Sequence, residues 1–127
     1  MATILLSIKP EYVKKIFSGE KKYEYRKHLS QEPVDRIIVY STDPEQKVVG
    51  EITVIGIMKM SPTRLWEQTK RDAGISREKF RKYFKGCKSA FAYQLGETNI
   101  YETPKALSDY GIKQAPQSFV YINREDR

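Results

Sequence analysis

Nine residues, Ser18-Gly19-Glu20-Lys21-Lys22-Tyr23-Glu24-Tyr25-Arg26, constrain this chain more than any other stretch, because a helix must stop in them and a strand must start. Gly19 follows a short helical pattern at the place where a left-handed C-cap is favoured. The residues after it alternate aromatic with charged, as a half-buried strand does. Tyr23 and Tyr25 therefore share one face and Glu24 and Arg26 the other. On that second face a carboxylate and a guanidinium can brace each other and present a planar pair of acceptor and donor. Lys21 joins them only where the backbone bends on leaving Gly19.

The flanks supply the frame. Ala2 to Ile8 is an apolar, β-rich run that reads as a first strand covered on both faces, and Pro10 suits the first position of a helix. Val13, Ile16 and Phe17 give that helix one buried stripe, with Lys14 and Lys15 facing solvent. Ser7 and Lys9 lie beside its N-terminus, where free amides, a hydroxyl and a cation make an anion site; the plainer reading is a capped chain and a solvated lysine. His28 to Asp35 is a connection, and His28, with no metal partner near it, reads as a surface residue. Arg36 to Ser41 is a third strand. Val48 to Met60 is a strand long enough to require curvature, with Gly50 and Gly56 at the bends.

Ser61-Pro62 opens a helical segment that Gly74 ends, and Ser76 caps a second helix that Gly86 closes. Leu65 and Trp66 mark the inner face of the first, and Phe80, Tyr83 and Phe84 read as a buried stripe on the second. Arg77, Lys79, Arg81, Lys82 and Lys85 fall mainly outside that stripe. Lys88 to Leu95 is a further strand, bent over Gly96 to Asn99 and continuing to Thr103. Pro104 to Gly111 is a loop or single helical turn, Ser118 to Ile122 a last strand, and Asn123 to Arg127 a frayed tail.

A length of 127 residues fits one domain, 1–127, with enough chain for a core. With 39% hydrophobic and 31% charged residues the chain is globular, and its apolar runs are too short to cross a bilayer. The start lacks the pattern of a signal peptide, and the single Cys87 cannot form an internal disulfide, so a cytoplasmic location is expected. No cysteine or histidine cluster and no glycine-rich phosphate loop is present, so neither metal nor cofactor is expected. Residues 64–88 carry nine Lys or Arg against three acids, a local charge of +6 within a total of +7. The four cations Arg77, Arg81, Lys82 and Lys85 make a basic patch suited to a polyanion such as a nucleic acid, or a merely solvated helix face.

Gly19, Lys21, Glu24 and Arg26 stand in the pattern G-x-K-x-x-E-x-R, which resembles the signature of the ASCH domain, a member of the PUA-like superfamily. Leu6-Ser7-Ile8-Lys9-Pro10 and Ile38-Val39-Tyr40-Ser41 are similar to that family's first and third strands. Gly74-Ile75-Ser76 with Phe80, Tyr83, Phe84 and Gly86, and then Pro116-Gln117-Ser118-Phe119, resemble a subgroup of short ASCH proteins. The resemblance implies an α+β fold, a small, partly open β-barrel of five to six strands with short helical insertions, and the residue pattern independently suggests the same architecture.

The resemblance also implies a cleft beside the barrel. Lys21, Glu24 and Arg26 would line one wall, with Ser7, Lys9, Tyr40, Ser41, Gln117 and Ser118 as neighbours. That set suits a flipped or single-stranded base with its phosphate; read from the residues alone, Glu24 and Arg26 are equally an ion pair that fixes strand register. The expected function is RNA or modified-nucleotide binding, with RNA or a nucleotide as partner. The alternative is a metal-independent enzyme, with Lys21, Glu24 and Arg26 as catalytic residues, either a ribonuclease or a 4-acetylcytidine amidohydrolase. The last is disfavoured because Glu24 stands where those amidohydrolases have a threonine nucleophile.

Overall fold

The structure, a computed structural model, describes residues 1–122. The tail over 123–127 lies outside the described residues.

Six strands form one mixed sheet: β1 (Ala2–Ile8), β2 (Tyr23–Arg26), β3 (Val34–Ser41), β4 (Lys47–Met60), β5 (Ala90–Lys105) and β6 (Phe119–Ile122). Their order across the sheet is β2-β5-β4-β3-β1-β6. β1 and β3 run parallel and every other pair is antiparallel. Three helices, α1 (Pro10–Ser18), α2 (Pro62–Thr69) and α3 (Arg77–Tyr83), decorate it. The sheet curls without closing, as the partly open barrel requires. Its register with β5 slips at three places along β4, between Val48 and Gly50, Ile52 and Val54, and Val54 and Gly56. Each slip bends the ribbon, so one strand pair serves two walls. At Gly50 a Cβ would collide with the Phe17 ring and the Asn99 carbonyl, which is why only glycine fits that bend.

Three apolar clusters hold these layers. Ile4, Leu6 and Ile8 of β1 pack with Ile37 and Val39 of β3 and with Val13 and Ile16 of α1 inside the curl. Phe80 of α3 and Phe84 at its C-cap pack with Leu65 of α2 on Tyr25 and on Ala90 and Ala92, and the small alanine side chains let the helices approach. On the outer face, Leu5, Ile38, Tyr40, Val48, Tyr110 and Ile122 form the third cluster. β1 is therefore covered on both faces, as its unbroken apolar run anticipates.

The expected elements are present, with shifted ends. β2 starts at Tyr23, β6 starts at Phe119, and β5 runs through the bend at Gly96 to Lys105 as one strand. Gly19 adopts φ 87°, the left-handed cap that the sequence requires.

Candidate functional site

The helix stop at Gly19 turns the chain so that the Lys21 amide donates to the Lys15 carbonyl at 3.0 Å and the Lys22 amide to the Asp72 carbonyl at 2.9 Å. These bonds place the Lys21 side chain against Gly74. Gly74 has φ +64° and no room for a Cβ, which would overlap the Lys21 methylenes, so glycine is required there twice over. The ammonium is 3% exposed as a residue. It donates to the Ala73 carbonyl at 2.7 Å and lies 4.8 Å from the Tyr25 ring centre and 5.2 Å from that of Tyr12. Burial pulls its pKa down to about 8, against the opposing attraction of Glu24.

Glu24 and Arg26 project from the opposite face of β2. One carboxylate oxygen of Glu24, Oε2, accepts from both Arg26 Nη2 at 2.7 Å and Nε at 3.1 Å. Their side chains are 9% and 14% exposed. Arg26 Nη2 also donates to the Ser7 carbonyl at 3.2 Å. β2 and β1 share no ladder, so this bond spans the open seam of the barrel. The pair thus braces the fold and also forms part of a cavity wall.

That cavity, about 470 Å³, opens between the start of α1, β2 and α3. Ser7, Lys9, Lys21, Glu24 and Arg26 line it together. Tyr12 and Glu11 of α1 and Lys79, Lys82 and Tyr83 of α3 also line it. Glu11 and Lys79 face each other from the two helices at 3.9 Å. Lys79, Lys82 and Tyr83 lie at i, i+3 and i+4, one flank of a helix. Arg77, Arg81 and Lys85 fall on a different row, exposed but outside the cavity lining. The basic patch is therefore divided between cleft and outer surface.

The remaining candidates lie elsewhere. Tyr40 pairs with Ser7 across the β1–β3 ladder yet points into the third apolar cluster, 5% exposed. Ser41 is fully buried and donates to Glu45 at 2.8 Å. Neither lines the cavity. Ser7 Oγ donates to the Pro116 carbonyl at 2.7 Å, which ties the segment carrying the exposed Gln117 and Ser118 alongside Ser7. That hydroxyl is thus committed to the backbone. His28 is exposed, and Cys87 is a partly buried free thiol. Among the described residues, no group of three or more His, Cys, Asp or Glu is placed to hold a metal, and no helix is long and apolar enough to cross a membrane.

The polar and aromatic lining residues at the cavity's rim that the sequence reading missed include Glu11, Tyr12, Lys79 and, as a surface group, Tyr83. Tyr83 does not join the core stripe with Phe80 and Phe84, which are 1% and 2% exposed; it is 37% exposed. The available signal was spacing: Phe80 and Phe84 are a full turn apart, and Tyr83 sits on the edge of their stripe with Lys79 beneath it.

Comparison with known proteins bears on the family and the fold. The model of the ASCH domain matches residues 6–103. A Zymomonas mobilis protein named ASCH domain-containing ribonuclease is 28% identical over 129 residues, covering 96% of this chain and 85% of the relative. The crystal structure of ASCH from Zymomonas mobilis superposes with a TM-score of 0.90 at 28% identity, covering 98% of this chain and 90% of that one. A Ureaplasma parvum protein named ATP synthase subunit alpha is 31% identical over 121 residues, 94% of this chain, but the chain spans only 15% of its length. With the matched region running from the first strand through the cleft and both helices of the basic segment, the chain belongs to the ASCH domain family.

Proposed function

We propose that the cleft seats one nucleotide of single-stranded RNA. The observation that carries this reading is the composition of a single cavity: Lys9, Lys79 and Lys82, the half-buried Tyr12 ring, and the Glu24–Arg26 pair. Exposed cations at the mouth suit a phosphodiester, an aromatic face suits a base, and a fixed acceptor beside fixed donors suits a base edge. A volume of about 470 Å³ falls in the usual range for small-ligand sites. The exposed row Arg77, Arg81 and Lys85 continues the positive surface away from the cleft, where the flanking strand runs. Fluorescence polarisation with labelled single-stranded RNA tests the reading. Lys79→Glu with Lys82→Glu should abolish binding at physiological salt, and undiminished binding would refute it.

Strand cleavage is a second reading, supported by the relative named a ribonuclease and by a lysine whose proton is held at a pKa of about 8. In that reaction the ribose 2′-oxygen bonds to the adjacent phosphorus, its proton passes to Glu24, the bond to the 5′-oxygen breaks, and Lys21 protonates that leaving oxygen. Binding ranks first because Oε2 of Glu24 is already occupied by two Arg26 donors, so a ribose hydroxyl would have to displace one of them to reach it. RNA incubated with the protein and a chelator, then assayed for 2′,3′-cyclic phosphate ends, decides between the two.

A further inference from the structure

The seat described above leaves one aromatic group unused. Tyr25, deep in the cleft, is 7% exposed, and its hydroxyl is engaged with Thr69 at 2.7 Å. Tyr83 is the more accessible ring. It lies on the cavity lining and is 37% exposed, and its hydroxyl is hydrogen-bonded to the Lys27 backbone. Its ring is held in place by packing as well: it stands edge-to-face against Phe84 at 4.8 Å and 74°, and Phe84 is itself buried in the α2–α3 cluster. A cation also covers it, Lys27 Nζ at 4.9 Å from the ring centre. Lys82, its neighbour in sequence, lines the same cavity.

An oriented, partly exposed ring costs little further entropy when a base stacks on it, because its rotamer is already set by packing. A lysine ammonium lying on such a ring is a flexible occupant. It can swing from the ring to a phosphate while a base takes its place, exchanging a cation–π contact for an ion pair.

Resting on the nucleotide-seat reading, we infer that Tyr83 is a second subsite, a stacking platform for the nucleotide flanking the seated one, with Lys27 and Lys82 taking the phosphate that links the two. The ligand class that follows is a single-stranded oligonucleotide of at least two residues, in preference to a free nucleotide or nucleoside. A duplex is excluded, because its bases are already stacked and cannot reach the ring.

The test is a set of NMR titrations of the whole protein with the four nucleoside 3′-monophosphates and the four homodinucleotides, each dinucleotide carrying a 2′-O-methyl group on its linking ribose to block cleavage. The unmodified protein should bind the best dinucleotide more tightly than the matching monophosphate. Tyr83→Ala should weaken dinucleotide binding by roughly tenfold or more, in the range that loss of one stacked base produces. It should leave monophosphate binding unchanged, which also certifies that the variant is folded, and Tyr83→Phe should keep the advantage. Equal affinity of the unmodified protein for both ligands, or an unaltered dinucleotide affinity in Tyr83→Ala, overturns the second subsite and leaves the first standing. Equal losses for both ligands overturn it too, since Tyr83 would then belong to the first seat. Absence of binding by either ligand overturns the seat and the platform together.

Discussion

Lys21 offers the sharpest test of the physical reasoning, because two opposing effects act on it and the sign of one measurement separates them. Its ammonium is buried between Tyr12 and Tyr25 with a single carbonyl acceptor at 2.7 Å, and burial lowers its pKa from 10.5 to about 8. The nearby Glu24 carboxylate acts in the other direction. If burial dominates, the unfolded chain keeps a proton between pH 8 and 10.5 that the folded chain has released, so folding stability rises with pH across that window. The separation corresponds to about 3 kcal/mol in all, of which about 2 kcal/mol is present by pH 9.5. Lys21→Met removes the titrating group at similar length and leaves every other group in place. Urea unfolding of both proteins, followed by circular dichroism from pH 7 to 9.5, gives the difference. The unmodified protein should gain about 2 kcal/mol relative to the variant over that range. A flat difference would show that the ammonium is solvated, and one that falls with pH would show that Glu24 governs it. Either result refutes the assignment of Lys21 as a desolvated, proton-releasing group.

Three further outcomes are expected. Glu24→Gln and Arg26→Gln should each lower stability by about 3 kcal/mol in urea titrations, since each strands one partner of a largely buried pair; losses under about 1 kcal/mol would mean that the pair is effectively solvent-exposed. Binding of single-stranded RNA should weaken with salt at a slope of about −0.7 per phosphate contacted, and charge reversal at Arg81, Lys82 and Lys85 should flatten that slope; salt-independent binding would rule out the basic surface. The protein should release little or no cytidine from 4-acetylcytidine, because Glu24 presents a carboxylate tied to Arg26 where a hydroxyl nucleophile is needed; robust turnover measured by chromatography would overturn the ranking of binding over amide hydrolysis.

The local features of the site were legible in the sequence, and its partners across the fold were less so. Gly19, the alternation over Tyr23 to Arg26 and the bends along β4 follow from turn chemistry and strand period, which act within a few residues. Lys21 reaches Glu24's neighbourhood because the backbone bends where the Gly19 cap demands it. Tyr40 shows the opposite case. Its position beside Ser7 is set by the parallel β1–β3 ladder, but which face it uses depends on where the 3-10 turn Leu107–Tyr110 packs, far along the chain. Lys79 and Tyr83 were visible as a charge and an aromatic. Their turn toward the cleft depends on how α3 is rotated on the sheet, which Phe80 and Phe84 fix through contacts with Tyr25 that no local pattern encodes.

The strand order also bears on how the chain is made. Within this domain β1 is synthesised before its inner neighbour β3, which follows soon after. Its other edge waits for β6, and the Ser7–Pro116 bond joins residues 109 positions apart. At ordinary rates of synthesis that delay is roughly 5 to 20 seconds. Throughout it, Ile4, Leu5 and Leu6 present an apolar strand with unpaired backbone groups, the kind of edge on which nascent chains associate. Residues 116–122 therefore act as the protective cover of this domain's first strand, and truncation before them should leave a chain that aggregates during translation.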